Sequence, residues 1–421
     1  MRLMKNVCIF LLISVISLPA WSQYNEQYAI GKTNGLLLTG KLAPTPPMGF
    51  NTWNTFQTKI DEQMLREMVD VFVSSGMRDA GYQYFVLDDG WMAMERDQNG
   101  NIIADPLKFP HGMKAFADYV HTKGLKFGIY NCAGSKTCAG YPGTRGHEYE
   151  DARLYASWGV DFLKYDWCNT DSLYAPEAYK TMSAALRATG RPIVFSICEW
   201  GDHKPWLWAG GVGELYRSTG DISANFIVRK PQGNWTPQSV VSILNLQEAI
   251  RQYNGPNHWN DPDMLEVGNG MSYDEDKAHF SLWCMLAAPL AAGNDLRKMS
   301  AETRSILTNK EMIAVDQDSL GIAAFKMALP DSVELWVKPL KNKGLALCFF
   351  NRTETLRKIN LTWKDLVFKD NFSGIDIHLN SEPYAFKDLW QKQSGFVLAN
   401  KNFTRELAPH AVIVLRLTTA K

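Results

Sequence analysis

Asp161-Phe162-Leu163-Lys164-Tyr165-Asp166-Trp167-Cys168 is the stretch whose reading decides the fold. It follows a helical pattern from Tyr149 to Trp158 that stops at Gly159, and it alternates apolar and polar residues with the period of a strand. It closes on a carboxylate, and Lys164, two residues earlier, lies on the same strand face as Asp166. A strand that stops on a reactive acid marks the carboxyl end of a sheet or barrel. Taken alone, Asp166 reads equally well as a cap for the next helix. Its surroundings have to decide.

The same order of elements recurs on both sides. A helical pattern from Asp61 to Ser75 stops at Gly76, and Tyr84-Phe85-Val86-Leu87 then leads to Asp88-Asp89. Another, around Met113, Phe116, Ala117 and Val120, stops at Gly124 before the strand Lys126 to Tyr130. Gly190 precedes Ile193 to Ile197, which runs into Cys198-Glu199. Glycine just past a helix, followed by an apolar strand, is the chemistry of an αβ loop, and alternating helices and strands imply parallel pairing. Further strands are expected at Leu215 to Thr219 before Asp221, His258 to Asn260 before Asp261, and Pro289 to Ala292 before Asn294-Asp295. With Met48 to Thr52 as the first, eight candidate strands lie between Pro44 and Leu320, which matches the span of about 250 residues of a (β/α)8 TIM barrel. An open doubly wound sheet is the alternative, but no GxGxxG follows any strand. From residue 323 to 421 short alternating runs separated by turn residues (333–337, 345–350, 359–363, 375–379, 396–398 and 411–417) predict a C-terminal antiparallel β-domain. The expected organisation is thus α/β, with a catalytic barrel over residues 44–320 and the β-domain after it.

Composition excludes several classes of partner. Lys+Arg and Asp+Glu both number 44, so no global field recruits nucleic acid or an anionic membrane. Arg2 and Lys5 precede an apolar run from Val7 to Leu18, and Ala20-Trp21-Ser22 offers a cleavage site. Residues 1–22 therefore read as a signal peptide and the protein as exported, to the periplasm or the medium. A retained anchor is the alternative, although the run is shorter than the ~20 residues a span needs. Of the 7 cysteines, six follow this segment, without a CxxC pair, and the 8 histidines form neither HxH nor HExxH. No metal or other cofactor is expected. The 14 tryptophans suit stacking on sugar rings and core packing equally.

Gathered at one barrel mouth, the strand ends supply Asp88, Asp89, Lys164, Asp166, Glu199, Arg217, Asp221 and Asp263. Such a carboxylate-rich pocket suits glycosidic cleavage, which needs one ionised carboxylate at the anomeric carbon and one protonated partner at the leaving oxygen. Lys164 favours the ionised form of Asp166, which makes Asp166 the candidate nucleophile and Asp221 the candidate acid/base. Asp88 and Asp89 suit vicinal hydroxyls, with a divalent metal as their alternative.

Pro46-Pro47-Met48-Gly49-Phe50-Asn51-Thr52-Trp53-Asn54, Leu87-Asp88-Asp89-Gly90-Trp91, Leu163-Lys164-Tyr165-Asp166, Cys198-Glu199-Trp200, Arg217 to Ile222 and Trp259 to Met264 occur in this order along the chain. Together they resemble the α-galactosidases (melibiases) of glycoside hydrolase family 27. The resemblance implies an exo-acting retaining α-galactosidase with Asp166 as nucleophile and Asp221 as acid/base, acting on a small-molecule or polysaccharide galactoside. It further implies galactose contacts from Trp53, Asp88, Asp89, Tyr130, Lys164, Arg217, Asp263 and Met264. Glu199-Trp200, after Cys198, matches the bulky pair that favours a free 2-hydroxyl over an acetamido group. The resemblance also implies a Cys138–Cys168 disulfide and a C-terminal β-sandwich marked by Asp388-Leu389-Trp390. Three residues depart from the family pattern: Gly90 stands for a common Cys, Phe50 for a Trp and Cys132 for an Asp. Cys132 leaves an alternative disulfide with Cys138 or Cys168 open. An α-N-acetylgalactosaminidase, a β-L-arabinopyranosidase and a non-catalytic sugar-binding barrel are the competing readings.

Overall fold

A computed structural model describes residues 42–379, 383–398 and 400–419. The expected signal peptide lies outside the described residues. Eight parallel strands form one curled sheet: β1 Met48–Asn51, β2 Tyr84–Val86, β3 Lys126–Cys132, β4 Phe162–Asp166, β5 Val194–Ile197, β6 Leu215–Arg217, β7 Trp259–Asp261 and β8 Leu290–Ala292. Each pairs with its sequence neighbour from β1 to β7, and β1 pairs with β8. The remaining seam is joined after β7, where Leu265 bridges Ala292 in parallel and bonds to the backbone of Ala291 and Gly293. All eight expected strands are present, and the barrel closes.

Local chemistry explains the helices between them. Asp61 caps Glu62–Ser74 by accepting from the Met64 N–H, which satisfies one of the helix's orphan donors. Gly159 ends Glu148–Trp158 at φ 86°, a left-handed conformation that glycine adopts without strain. The alternation fails in one place. Between β5 and β6 the chain makes only a single 3-10 turn, Pro205–Leu207, so the sequence pattern there is loop and not helix.

The barrel interior is layered. Tyr84, Val86, Phe162, Val194, Leu215 and Trp259 form an apolar plug, with the Tyr84 and Phe162 rings 5.3 Å apart. One residue pair further along the same strands, the inward positions become Lys164, Ser196 and Arg217. Parallel register places Tyr130 opposite Lys164 and Cys132 opposite Asp166. The reactive groups thus sit above an apolar floor.

Beyond the barrel, ten strands among the described residues build the β-domain: β9 Phe325–Ala328, β10 Val333–Leu340, β11 Gly344–Asn351, β12 Arg357–Thr362, β13 Val367–Asp370, β14 Ile375–His378, β15 Tyr384–Asp388, β16 Ser394–Val397, β17 Asn402–Leu407 and β18 Val412–Thr419. A six-stranded antiparallel sheet, in the order β16-β15-β18-β11-β10-β9, is accompanied by the pairs β12-β17 and β13-β14. Period-two alternation divides its residues between two cores. Trp336, Cys348, Phe350, Val412 and Val414 pack on the barrel, whereas Leu335, Val337, Leu347, Phe349, Ile413 and Leu415 face the other layer of the sandwich.

Candidate active site

The carboxyl ends of β1 to β7 surround one cavity with about 380 Å³ of open space, lined by Trp53, Asn54, Asp88, Asp89, Tyr130, Cys138, Lys164, Asp166, Trp200, Arg217, Asp221, Asp263 and Met264.

Asp88 anchors one side. Its Oδ2 accepts from Asn51 Nδ2 and Lys164 Nζ, both at 2.7 Å, and its backbone N–H donates to Thr52 Oγ1 at 2.9 Å. Asp89 accepts from the backbone N–H groups of Gly90 and Ala139, both at 2.8 Å. Burial pushes Asp89 up to about 6, against those hydrogen bonds and with help from the Asp88 charge. Gly90 has φ 90°, and a Cβ there would meet Thr58 at 2.8 Å, so the turn as built favours the glycine at this departure from the family pattern.

Asp166 sits at the end of β4, only 5% exposed, and takes a 2.8 Å bond from the Trp167 N–H. Lys164 does lower Asp166, as expected, but it does not win. Burial is the larger effect and, with the Asp221 and Asp88 charges, pushes the carboxyl up to about 7. Lys164 spends its hydrogen bond on Asp88 instead, and its ammonium rests 5.3 Å from the centre of the Tyr130 ring. Burial alone would lower Lys164, but Asp88 and the other anions around it hold the ammonium above its ordinary value.

Opposite stands Arg217, 3% exposed, whose Nη2 lies 2.9 Å from both Asp221 Oδ1 and Asp263 Oδ2. Asp221 keeps 40% of its side chain exposed. Asp263 is buried and held in place by the Ile222 and Met264 N–H groups. Its φ of 84° is rare for a non-glycine residue, and such strain gathers at working sites. Burial raises Asp263, with Arg217 opposing.

Two expected wall residues stand back from the cavity. Glu199 is fully buried, and its carboxylate accepts from the Gly201 and His203 N–H groups and contacts His203 Nδ1 at 2.9 Å. It braces its own turn, raised to about 8 by burial, and leaves only Trp200 to line the cavity. Cys198 lies beneath, with its sulfur 3.7 Å from Arg217 Nη1. Conversely, Asn54 and Cys138 line the cavity without having been expected there as contacts. Asn54's position beside Trp53 in the first motif was the only available signal.

Cys138 and Cys168 form the disulfide, and Cys132 remains a free, buried thiol. Its sulfur is engaged by backbone, donating to Cys168 O at 2.9 Å and accepting from the Gly134 N–H at 3.3 Å. The disulfide sulfurs lie within 4.8 Å of an Asp166 carboxylate oxygen, and the Tyr130 hydroxyl contacts Cys138 Sγ at 3.3 Å. Sulfurs already bonded to each other offer no thiolates to a metal.

A family model described as Alpha galactosidase A matches residues 45–318, and one for the Alpha galactosidase C-terminal beta sandwich domain matches residues 330–417. The chain belongs to the melibiase family of α-galactosidases, glycoside hydrolase family 27. It is 50% identical over 378 residues to Alpha-galactosidase A of Cellvibrio japonicus, covering 90% of this chain and 93% of that one. Alpha-galactosidase I of Mortierella vinacea superposes with a TM-score of 0.83 at 35% identity, covering 92% and 99% of the two chains. The α-galactosidase of Saccharomyces cerevisiae solved with raffinose gives a TM-score of 0.81 at 31% identity, covering 90% and 98%. As an α-galactosidase, this glycoside hydrolase takes α-galactosides as its substrates. Among the described residues no helix is long and apolar enough to cross a membrane.

Proposed function

We propose that the protein is a secreted, exo-acting α-galactosidase that works with retention, through a covalent galactosyl intermediate on Asp166. The observation that carries this reading is that Asp166 and Asp221 line one cavity in unlike environments. Asp166 is buried at a strand end and has a single backbone hydrogen bond, so its carboxylate is free to attack. Asp221 is half-exposed and able to protonate the leaving oxygen and then accept a proton from water. In the first step the Asp166 oxygen bonds to the anomeric carbon, the glycosidic bond breaks, and Asp221 supplies the leaving group's proton. In the second step Asp221 deprotonates water, which displaces Asp166.

Trp53, Tyr130, Lys164, Arg217, Asp263 and Met264 would hold the galactose, with Asp88 and Asp89 accepting from its hydroxyls. Trp200, at φ 59° beside the braced Glu199 turn, is the bulk that excludes an acetamido group. The relative solved with raffinose supports an oligosaccharide galactoside as substrate. The apolar N-terminal run supports export.

Hydrolysis of nitrophenyl α-galactoside, α-N-acetylgalactosaminide and β-L-arabinopyranoside tests the reading. Turnover of the first at more than 100-fold the kcat/KM of the others is expected. A preference for either of the others would overturn it.

A further inference from the structure

We infer that Glu266 is a positioning residue for the hydrolysis, holding the Trp53–Asn54 wall of the cavity through the amide of Asn54. The inference rests on the galactosidase reading above and adds a residue to it. Glu266 follows Asp263 by three residues, is 3% exposed, and is not among the residues that line the cavity. It therefore acts only through what it touches.

Its two oxygens are divided between two amides. Oε1 accepts a hydrogen bond from Asn54 Nδ2, and Oε2 accepts from Asn269 Nδ2 at 2.6 Å. Its backbone N–H donates to His279 Nε2 at 3.0 Å, which places the ring proton on Nδ1. His279 is fully buried, and burial lowers it to about 3, so it stays neutral and keeps that acceptor. Close by, Trp283 Nε1 donates to Asp263 O at 2.8 Å. The loop after β7 is thus pinned from beneath at two points.

Asn54 belongs to the one-turn helix Trp53–Phe56, which has no buried residue of its own. Such a short turn has little intrinsic stability and takes its position from its ends. The Trp53 N–H donates to Asn51 Oδ1 at 2.8 Å, and Thr55 Oγ1 donates to Gly293 O at 2.6 Å. The Glu266 bond is the side-chain tie on the cavity-lining residue itself. It joins the β1 loop, which carries Trp53, to the β7 loop, which carries Asp263 and Met264.

A carboxylate suits this position better than its amide. Two amide donors converge on it, and glutamine would present one acceptor and one donor, leaving one pair of N–H groups facing each other. Burial pushes Glu266 up to about 7, opposed by the Asn269 and Asn54 bonds. A carboxylate is costly to bury, and accepting from both loops is what it contributes in return.

Because Asn54 lines the cavity beside Trp53 and carries no group that transfers a proton or a bond, its displacement is expected to weaken ground-state and transition-state binding alike. Glu266→Gln, Glu266→Ala and Asn54→Ala are each expected to raise KM for nitrophenyl α-galactoside about tenfold with kcat within threefold of wild type. The Glu266→Ala/Asn54→Ala double variant is expected to be no worse than either single, since both act through one bond. Galactose affinity, followed by tryptophan fluorescence, should fall in parallel. Thermal unfolding of each variant separates this from lost stability, and Glu266→Gln with Asn54→Ala carries the test if Glu266→Ala does not fold. An unchanged KM and galactose affinity in folded Glu266→Gln and Asn54→Ala would overturn the inference, as would additive losses in the double variant. Wild type that fails on every galactoside would sink the activity reading, while galactose affinity would still decide the role of Glu266.

Discussion

Burial outweighs the pull of Lys164 and pushes the Asp166 carboxyl up to about 7. Its folded value lies above the unfolded one of about 3.9, so the folded state binds the extra proton. Stability therefore falls as pH rises from about 4 to about 7. Above that window the protein carries an ionised, buried carboxylate. Asp166→Asn is expected to cut kcat by at least about 10³-fold and to raise the melting temperature at pH 8 by a few degrees. The gain should shrink toward pH 4, and no gain at pH 8 would contradict the electrostatic account. At this scale the sequence was legible where a strand end met a motif, as at Asp88, Asp166, Arg217 and Asp263. It was not legible where a side chain turns back on its own loop. Glu199 is spent on Gly201 and His203, a choice made by backbone direction at Trp200, φ 59°. Cys132 is left as a thiol because its two candidate partners, Cys138 and Cys168, are bonded to each other, and its sulfur meets backbone groups instead.

The loops after β3 and β4 behave as one element, since the Cys138–Cys168 disulfide joins them across 30 residues. They carry the Ala139 N–H that orients Asp89 and the sulfur that touches the Tyr130 hydroxyl. Replacing both cysteines by serine should cost about 2–4 kcal/mol of stability and raise KM several-fold as Asp89 and Tyr130 loosen. Chemical denaturation and steady-state kinetics on the double variant check both parts, and an unchanged KM would show that the loops hold their shape without the bond. Elements with strong period signals were read correctly. Four strands were not expected: Phe325–Ala328, Val367–Asp370, Tyr384–Asp388 and Asn402–Leu407. Each is short or has at least one exposed or half-buried face, so the apolar alternation that identifies a strand is weak there.

Across the whole molecule, the β-domain serves as a wall for the barrel. Trp390 Nε1 donates to Ser281 Oγ at 3.1 Å, and Asn309 Nδ2 donates to Leu389 O at 3.1 Å, so the Asp388-Leu389-Trp390 remnant is an interface contact. Lys338, fully buried on β10, reaches Cys284 O at 2.8 Å. Arg251 pairs with Asp370 through two 3.0 Å bonds and also donates to Ala323 O. Removing one partner of this part-buried pair leaves the other without its charge-assisted hydrogen bonds, at a cost of about 1–3 kcal/mol. Arg251→Ala should therefore lower the melting temperature by several degrees and leave KM within twofold of wild type, because no contact of Arg251 reaches the cavity. A KM that moves with stability would instead tie the interface to the site. The central claim is attack by Asp166, and the direct test is the anomer released first from nitrophenyl α-galactoside, followed by proton NMR before mutarotation. The account predicts α-galactose; β-galactose as the first product would contradict it.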